Sequence, residues 1–426
     1  MSVEELRTAI ENICIDIERQ KEVLKTLETS KSRLQSQLNA VLDPVERLPL
    51  EISSEIFVQC LPPLPEPGAH HLPILLLNVC NSWSRIALSI PTLWTAIHVQ
   101  FPRLQGFEKL LEIWLQRAHN RPLSISLHGT FEASIATILS RRAEQLENLE
   151  INHDQINAVN VDPLSGIGPG PFPLLKSLTI GSVLNQAYPS LDPNSILDLF
   201  HLAPNLVECT FYWVLIPADE LPRGLRVLPN LRHLRFGKSL PCLADIELLR
   251  YLTLPGLQTL AVSVITSDDD SDEEVLIAFL KRSSPPLQKL RICENGSGGP
   301  FPFTKMEECL RLLPTLTHIE LWDPSDDLVQ KLFAILASPS LLHLQSVRMF
   351  GYWGDVPPTS WAVLHHALVG RRTHFTHFTI KCLVYGSSDT PYIKQPDAEI
   401  CDAFRQLVVD GMEIFIGYEG QNWISV

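Results

Sequence analysis

The stretch Pro229–Phe236, "PNLRHLRF", decides the fold. A proline stands two residues before a run that reads hydrophobic-x-x-hydrophobic-x-hydrophobic. Alternation of apolar and polar residues after a turn signal reads as a strand with one buried face. The phrase recurs as "LENLEI" at 146–151, "LKSLTI" at 175–180, "LVECTF" at 206–211, "LQTLAV" at 257–262 and "LQKLRI" at 287–292. "LTHIEL" at 316–321, "LQSVRM" at 344–349 and "FTHFTI" at 375–380 bring the copies to nine. Their first positions lie 25 to 31 residues apart, near 29 on average. Segments such as "SILDLFHLAP", "DIELLRYLTLP", "EEVLIAFLKRS", "MEECLRLLP" and "DDLVQKLFAILASP" fill the gaps, with apolar residues at helical spacing and a Pro or Ser near the end. A strand and a helix in each period predict an α/β solenoid over 99–426, with a curved parallel sheet and outer helices. "RPLSISL" at 121–127 reads as an opening strand, and "EICDAFRQLVVDGMEIFIGY" at 399–418 as a closing helix and strand.

Two regions precede the array. From Leu6 the series Leu6, Ile10, Ile13, Ile17, Gln20, Leu24, Leu27, Lys31, Leu34, Leu38, Val41 steps by four and three, and no Gly or Pro interrupts it before Pro44. That is a heptad seam over residues 3–42, an N-terminal coiled-coil helix. It reads either as a self-association helix that makes a homodimer or as a long helix folded back on its own domain. Residues 45–98 carry few charges. "VERLPLEISSEIFVQCL" reads as a short helix entered through Pro49, and a Pro-rich loop, 61–73, follows. In "ILLLNVCNSWSRIAL" the residues Leu76, Val79, Cys80, Trp83 and Ala87 share one helical face, with Leu77 and Ile86 off it. A unit of about 50 residues cannot bury that much apolar surface within itself, so some of it meets a neighbour.

Composition narrows the function. The chain has 426 residues and a net charge of −14, with no Lys/Arg-rich run, which argues against nucleic acid and anionic membrane as partners. No signal peptide and no membrane span are expected. The nine cysteines include no Cys-x-x-Cys pair, so reduced thiols in cytoplasm or nucleus are expected, without a zinc site. "NGS" at 295–297 reads as a loop. No phosphate loop, Gly-x-Ser-x-Gly elbow or His-Glu-x-x-His is present. "SGIGPGP" at 165–171 reads as a loop, and the adjacent pairs His70-His71 and His365-His366 do not face one site. No catalytic residue, metal or cofactor is expected.

Residues 45–98 resemble an F-box. The match rests on Leu48, Pro49, Glu51, Ile52, Ile56 and Phe57, then on "VCNSW" with Ile86-Ala87 and Pro91-x-Leu93-Trp94. Asn81 stands where the family often has Arg, and the Pro-rich loop is longer than in a compact F-box. Heptad helix, F-box and irregular leucine-rich repeats together resemble the F-box proteins abundant in mushroom-forming fungi. The resemblance implies a substrate-recognition subunit of an SCF-type (cullin–RING) ubiquitin ligase. Leu48, Pro49, Ile52, Ile56, Phe57, Val79, Cys80 and Trp83 would dock the Skp adaptor, while Trp94 packs on the first repeat and the repeats hold a protein substrate. Two rival readings are a non-ligase coiled-coil scaffold and a small-molecule sensor with a pocket among the repeats.

The strand pattern also predicts the substrate face. Residues between the inward leucines face the open side: Glu208, His233, Lys289, His318, Ser346 and His377 in one row, and Arg235, Arg291, Glu320, Arg348 and Thr379 in the next. Tyr212, Trp322 and Phe350 follow the third apolar position. Tyr212, Arg291, His318, Trp322, Arg348 and Phe350 are the candidate substrate contacts, and Trp353 extends the aromatic group. The acidic run Ser267–Glu274 reads either as a solvated loop leading into a helix, or as a regulated loop phosphorylated at Ser271.

Overall fold

The computed structural model describes residues 3–62, 72–101, 106–129, 133–153, 170–182, 191–212, 214, 216, 224–237, 245–264, 271–294, 305–322, 324–337, 341, 343–351, 358–371, 379–384, 396–418 and 421–425. The expectations for Trp353, His377, His70-His71, the sequon, most of 165–171 and residues 267–270 fall outside these. The chain divides into two compact units, Met1–His98 with Lys109–Arg121, and Val99–Glu108 with Pro122–Val426.

The first unit holds helices α1 (Val3–Leu42), α2 (Leu50–Gln59), α3 (Leu72–Leu77) and α4 (Asn81–Ser89). Strand β1 (Ala96–Gln100) runs out of it, and most of α5 (Phe107–Arg117) returns to it. The boundary expected at 98/99 therefore moves to include 109–121. The cause is Trp94: the Trp114 ring meets it edge-on at 4.8 Å and the Arg117 guanidinium lies 4.5 Å above it. The indole of Trp94 also donates to Ala87 O at 3.0 Å.

Residues 72–89 depart from the single apolar face expected of them. The chain breaks at Asn78–Cys80, and Cys80 becomes the N-cap of α4: its Sγ accepts from Trp83 N at 3.5 Å and lies 3.4 Å from Asp43 Oδ2. Ser84 Oγ donates to Leu77 O at 2.7 Å, which satisfies a carbonyl freed by the break. The break rotates α4, so Ile86 is buried and Val79 is exposed.

The second unit holds strands β2 (Leu123–His128), β3 (Leu146–His153), β4 (Ser177–Ser182), β5 (Glu208–Tyr212), the short β6 (Arg226–Val227) and β7 (His233–Phe236). The short β8 (Leu252–Thr253) precedes β9 (Thr259–Val264), β10 (Lys289–Glu294), β11 (His318–Trp322) and β12 (Ser346–Gly351). β13 (Thr379–Val384), β14 (Glu413–Tyr418) and β15 (Gln421–Asn422) complete them. Between them run α6 (Ala133–Ser140), α7 (Pro193–Leu202), α8 (Asp245–Leu248), α9 (Ser271–Ser283), α10 (Met306–Arg311), α11 (Asp326–Ala337), α12 (Pro358–Arg371) and α13 (Ala398–Val409). One large sheet runs in near-sequential order, β1-β2-β3-β4-β5-β7-β9-β10-β11-β12-β13-β14-β15, while β6 pairs with β8 apart from it. From β2 to β14 neighbours in this sheet are parallel, as a strand–helix repeat requires. The result is a mixed α/β chain with an N-terminal helix and a large, repeat-like parallel sheet.

The inward residues of each strand are sealed. Leu178, Phe211, Leu234, Phe236, Leu260, Leu290, Ile319, Leu321, Val347 and Met349 are all fully buried. A backbone chain locks the repeats ahead of the strands: Gln258 N donates to Arg232 O, Gln288 N to Gln258 O and Gln345 N to Thr317 O, each at 2.8 Å. Gly181 has no room for a side chain, since a Cβ there would lie 2.4 Å from Tyr212 O.

Three details depart from the sequence pattern. "DIELLRYLTLP" makes only one turn of α8, a 3-10 turn and β8; Arg282 of α9 donates to Leu249 O at 2.6 Å and Leu252 O at 2.7 Å, which ties this short segment to the next helix. The ninth repeat is displaced by two residues: Thr379 pairs with Ser346 and Lys381 with Arg348, so Thr379 sits one row earlier than expected. A shift of two keeps every side chain on its face, so alternation alone cannot fix it. Finally β14 ends in a hairpin with β15, where the Asn422 side chain accepts from Ile416 N at 3.1 Å and donates to Ile414 O at 3.2 Å.

Candidate functional site

Two surfaces stand out, one in each unit. In the first unit α2 turns inward with Ser53 and Phe57. Ser53 Oγ donates to Val45 O at 3.1 Å, and the Phe57 ring lies 5.0 Å from that of Trp83. Phe57 is fully buried, Trp83 half-buried and Cys80 a helix cap, so these three hold the unit together rather than face outward. Ile52 and Ile56, one turn apart, point the other way and are 50% and 43% exposed. Leu48, Pro49 and Val79 are exposed with them, and so are Leu50, Ile74 and Leu75, which the motif alone did not single out. So many large apolar side chains open to water on so short a segment make it a candidate interaction surface.

In the second unit the polar face of the sheet carries the expected rows. Register aligns Arg291, Glu320, Arg348 and Lys381 across β10 to β13. Glu320 is the centre: its side chain is only 5% exposed, with Lys289 Nζ at 2.7 Å, Arg291 NH2 at 2.7 Å and Arg348 NH1 at 3.8 Å. Burial alone would raise its pKa, but the hydrogen bonds and charges of Lys289 and Arg291 outweigh that and hold the carboxyl below its ordinary value. His318 is shifted down by burial first, then by Lys289 and Arg348, with Glu320 opposing. The Trp322 and Phe350 rings stack at 4.8 Å, and Arg291 lies 5.1 Å from the centre of the Trp322 ring. Three of the atoms here are buried without a hydrogen-bond partner among the described residues: Trp322 Nε1, Arg348 Nε and Ser346 Oγ.

The structure places Arg291, His318, Trp322, Arg348 and Phe350 on one face of neighbouring strands. It removes Tyr212, which is 8% exposed and lies over Gly181 on the neighbouring strand. Lys381 joins through the corrected register. Among the described residues no group of three or more His, Cys, Asp and Glu is placed to hold a metal, and no helix is long and apolar enough to cross a membrane.

No family model and no curated protein matches the chain. Among solved structures it is similar to a crystal structure of a Bacteroides fragilis protein, a structural-genomics target. The TM-score is 0.40 and the identity 15%, over 70% of this chain and 76% of that one.

A second polar cluster lies near the other end of the sheet. Glu150 accepts from Ser126 Oγ at 3.0 Å and Asn152 Nδ2 at 2.7 Å, while His128 Nε2 is 3.8 Å away. His128 contributes most to lowering the Glu150 pKa, and with Asn152 and Ser126 it outweighs burial and brings the value to about 2. A depressed carboxylate adds stability that is complete above its ordinary pKa and is lost as pH falls toward the folded value. Glu150 is 39% exposed, so screening reduces the effect to about 1 kcal/mol. Urea midpoints measured between neutral pH and pH 2 should show this acid-side loss, and Glu150→Gln should flatten it.

Proposed function

We propose that the chain is a non-catalytic substrate-recognition subunit of an SCF-type ubiquitin ligase. In this reading residues 45–98 are an F-box that docks the Skp adaptor and through it the cullin–RING ligase. The array is a set of leucine-rich repeats that holds a protein substrate on its polar sheet face, and the work is done in cytoplasm or nucleus. The observation that carries the reading is the exposed apolar row at Leu48, Ile52, Ile56 and Val79. It coincides with the positions that the F-box resemblance assigns to the adaptor, while Phe57 and Trp83 supply the core beneath.

A pull-down of the full chain with purified Skp adaptor tests it. Ile52→Asp should weaken binding by about 2 kcal/mol or more, because it places a charge in a desolvated helix interface. Its circular dichroism should not change, since Ile52 is already 50% exposed. Trp83→Ala is the poorer probe, because it removes the ring that packs on Phe57. No binding by the folded wild-type chain would sink the ligase reading.

The alternative of a coiled-coil scaffold has an observation of its own. The α1 seam is open along its length: Leu6, Ile10, Ile17, Leu27 and Leu34 are 44%, 60%, 47%, 62% and 65% exposed. A chain that fails to bind the adaptor yet sediments as a dimer belongs to this second reading.

A further inference from the structure

Among the described residues, the polar face between β10 and β13 carries more positive charge than it neutralises. Lys289, Arg291 and Arg348 surround the one carboxylate of Glu320. Lys381 continues the row and, among the described residues, pairs with Glu413 at 3.7 Å, a carboxylate 68% exposed and open to solvent screening. This concentration stands out in a chain of net charge −14. Ser346, 6% exposed, adds a buried hydroxyl without a partner among the described residues, and Arg348 Nε on the same strand adds an unpartnered donor. Buried donors without partners are costly. Beside them the stacked Trp322 and Phe350 rings offer a half-buried apolar shelf.

We propose that this face binds an acidic peptide segment of a protein partner, with carboxylates on Arg348, Lys381 and Lys289 and a neighbouring apolar side chain on Trp322 and Phe350. Four adjacent strands span about 14 Å, the reach of about four extended residues. That length suits a short peptide motif and is too short for a nucleic-acid tract, which the chain's negative charge also repels. Clustered arginines recognise acidic motifs by charge-assisted hydrogen bonds, and aromatic shelves beside them supply apolar anchoring. The inference rests on the substrate-recognition reading and gives it a substrate chemistry.

The test is fluorescence anisotropy on the full chain. The probe is a labelled peptide in which a run of glutamates precedes a phenylalanine, and the control has glutamines in their place. Saturable binding that weakens with added salt is expected for the glutamate peptide only. Arg348→Gln should weaken it about tenfold and Lys381→Gln several-fold, with Trp322 fluorescence reporting the shelf. The proposal is overturned by absence of saturable binding to the folded chain, by equal binding of the glutamine peptide, or by an unchanged affinity in Arg348→Gln. Tighter binding of a single-stranded oligonucleotide of equal charge also overturns it. Adaptor binding is scored on the same preparation, so a chain that holds the adaptor and ignores the peptide refutes this inference alone.

Discussion

Glu320→Ala should destabilise the sheet unit by about 3 kcal/mol in urea unfolding at neutral pH, the low end of what breaking a buried ion pair costs. The carboxylate is nearly sealed, and Lys289, Arg291 and Arg348 converge on it from the strands on either side. Without it Arg291 and Arg348 face each other across β11, two strand spacings or about 10 Å apart at the backbone, and Lys289 adds a third positive charge beside Arg291. The low end applies because their side chains are 34%, 22% and 43% exposed and relax partly into water. Added salt should recover part of the loss, since screening weakens the repulsion. Glu320→Gln should cost less, because it keeps an acceptor for Arg291. A loss below about 1 kcal/mol would mean that the cluster contributes no more than an exposed pair.

Trp94→Ala should cost the first unit about 4 kcal/mol, as truncating a sealed aromatic does. Trp94 is fully buried, and it joins α4 to α5 through the Ala87 carbonyl, the Trp114 ring and the Arg117 guanidinium. Its loss leaves a cavity and removes the stronger of the two donors to the Ala87 carbonyl, which keeps only Ile90 N at 3.4 Å. Hydrogen exchange should show the amides of α4 and α5 losing protection first, with those of β10 to β13 unchanged. Trp94→Phe, which keeps most of the volume and loses the hydrogen bond, should fall between the two. A wild-type midpoint in Trp94→Ala would contradict this account of what holds 109–121 to the first unit.

Strand identity was legible because it is local. "LRHLRF" and its relatives alternate over a few residues, and that alone places Arg291, Glu320 and Arg348 on one face. Register was not legible, because it depends on residues about thirty positions apart. "FTHFTI" and its frame two residues on alternate alike, so Lys381 was passed over for Thr379. Tyr212 was misplaced for a related reason, since what covers it is Gly181 on the preceding strand. The break at Asn78–Cys80 was hidden because a cysteine is not a usual helix cap, and the Asp43 beside it comes from the end of the long helix. Strand β1, "AIHVQ", was missed because it lacks the repeat phrase and follows a helical segment.

A parallel stack of this kind has an inherent hazard: its last strand offers unpaired backbone groups to any extended chain that arrives. Here the offer is withdrawn from within. β14 pairs antiparallel with β15, and the Asn422 amide takes up Ile416 N and Ile414 O along the outer edge of β14. Among the described residues the outer edge of β14 is thus partly occupied by the chain itself, and an extended strand arriving there meets fewer free backbone donors and acceptors.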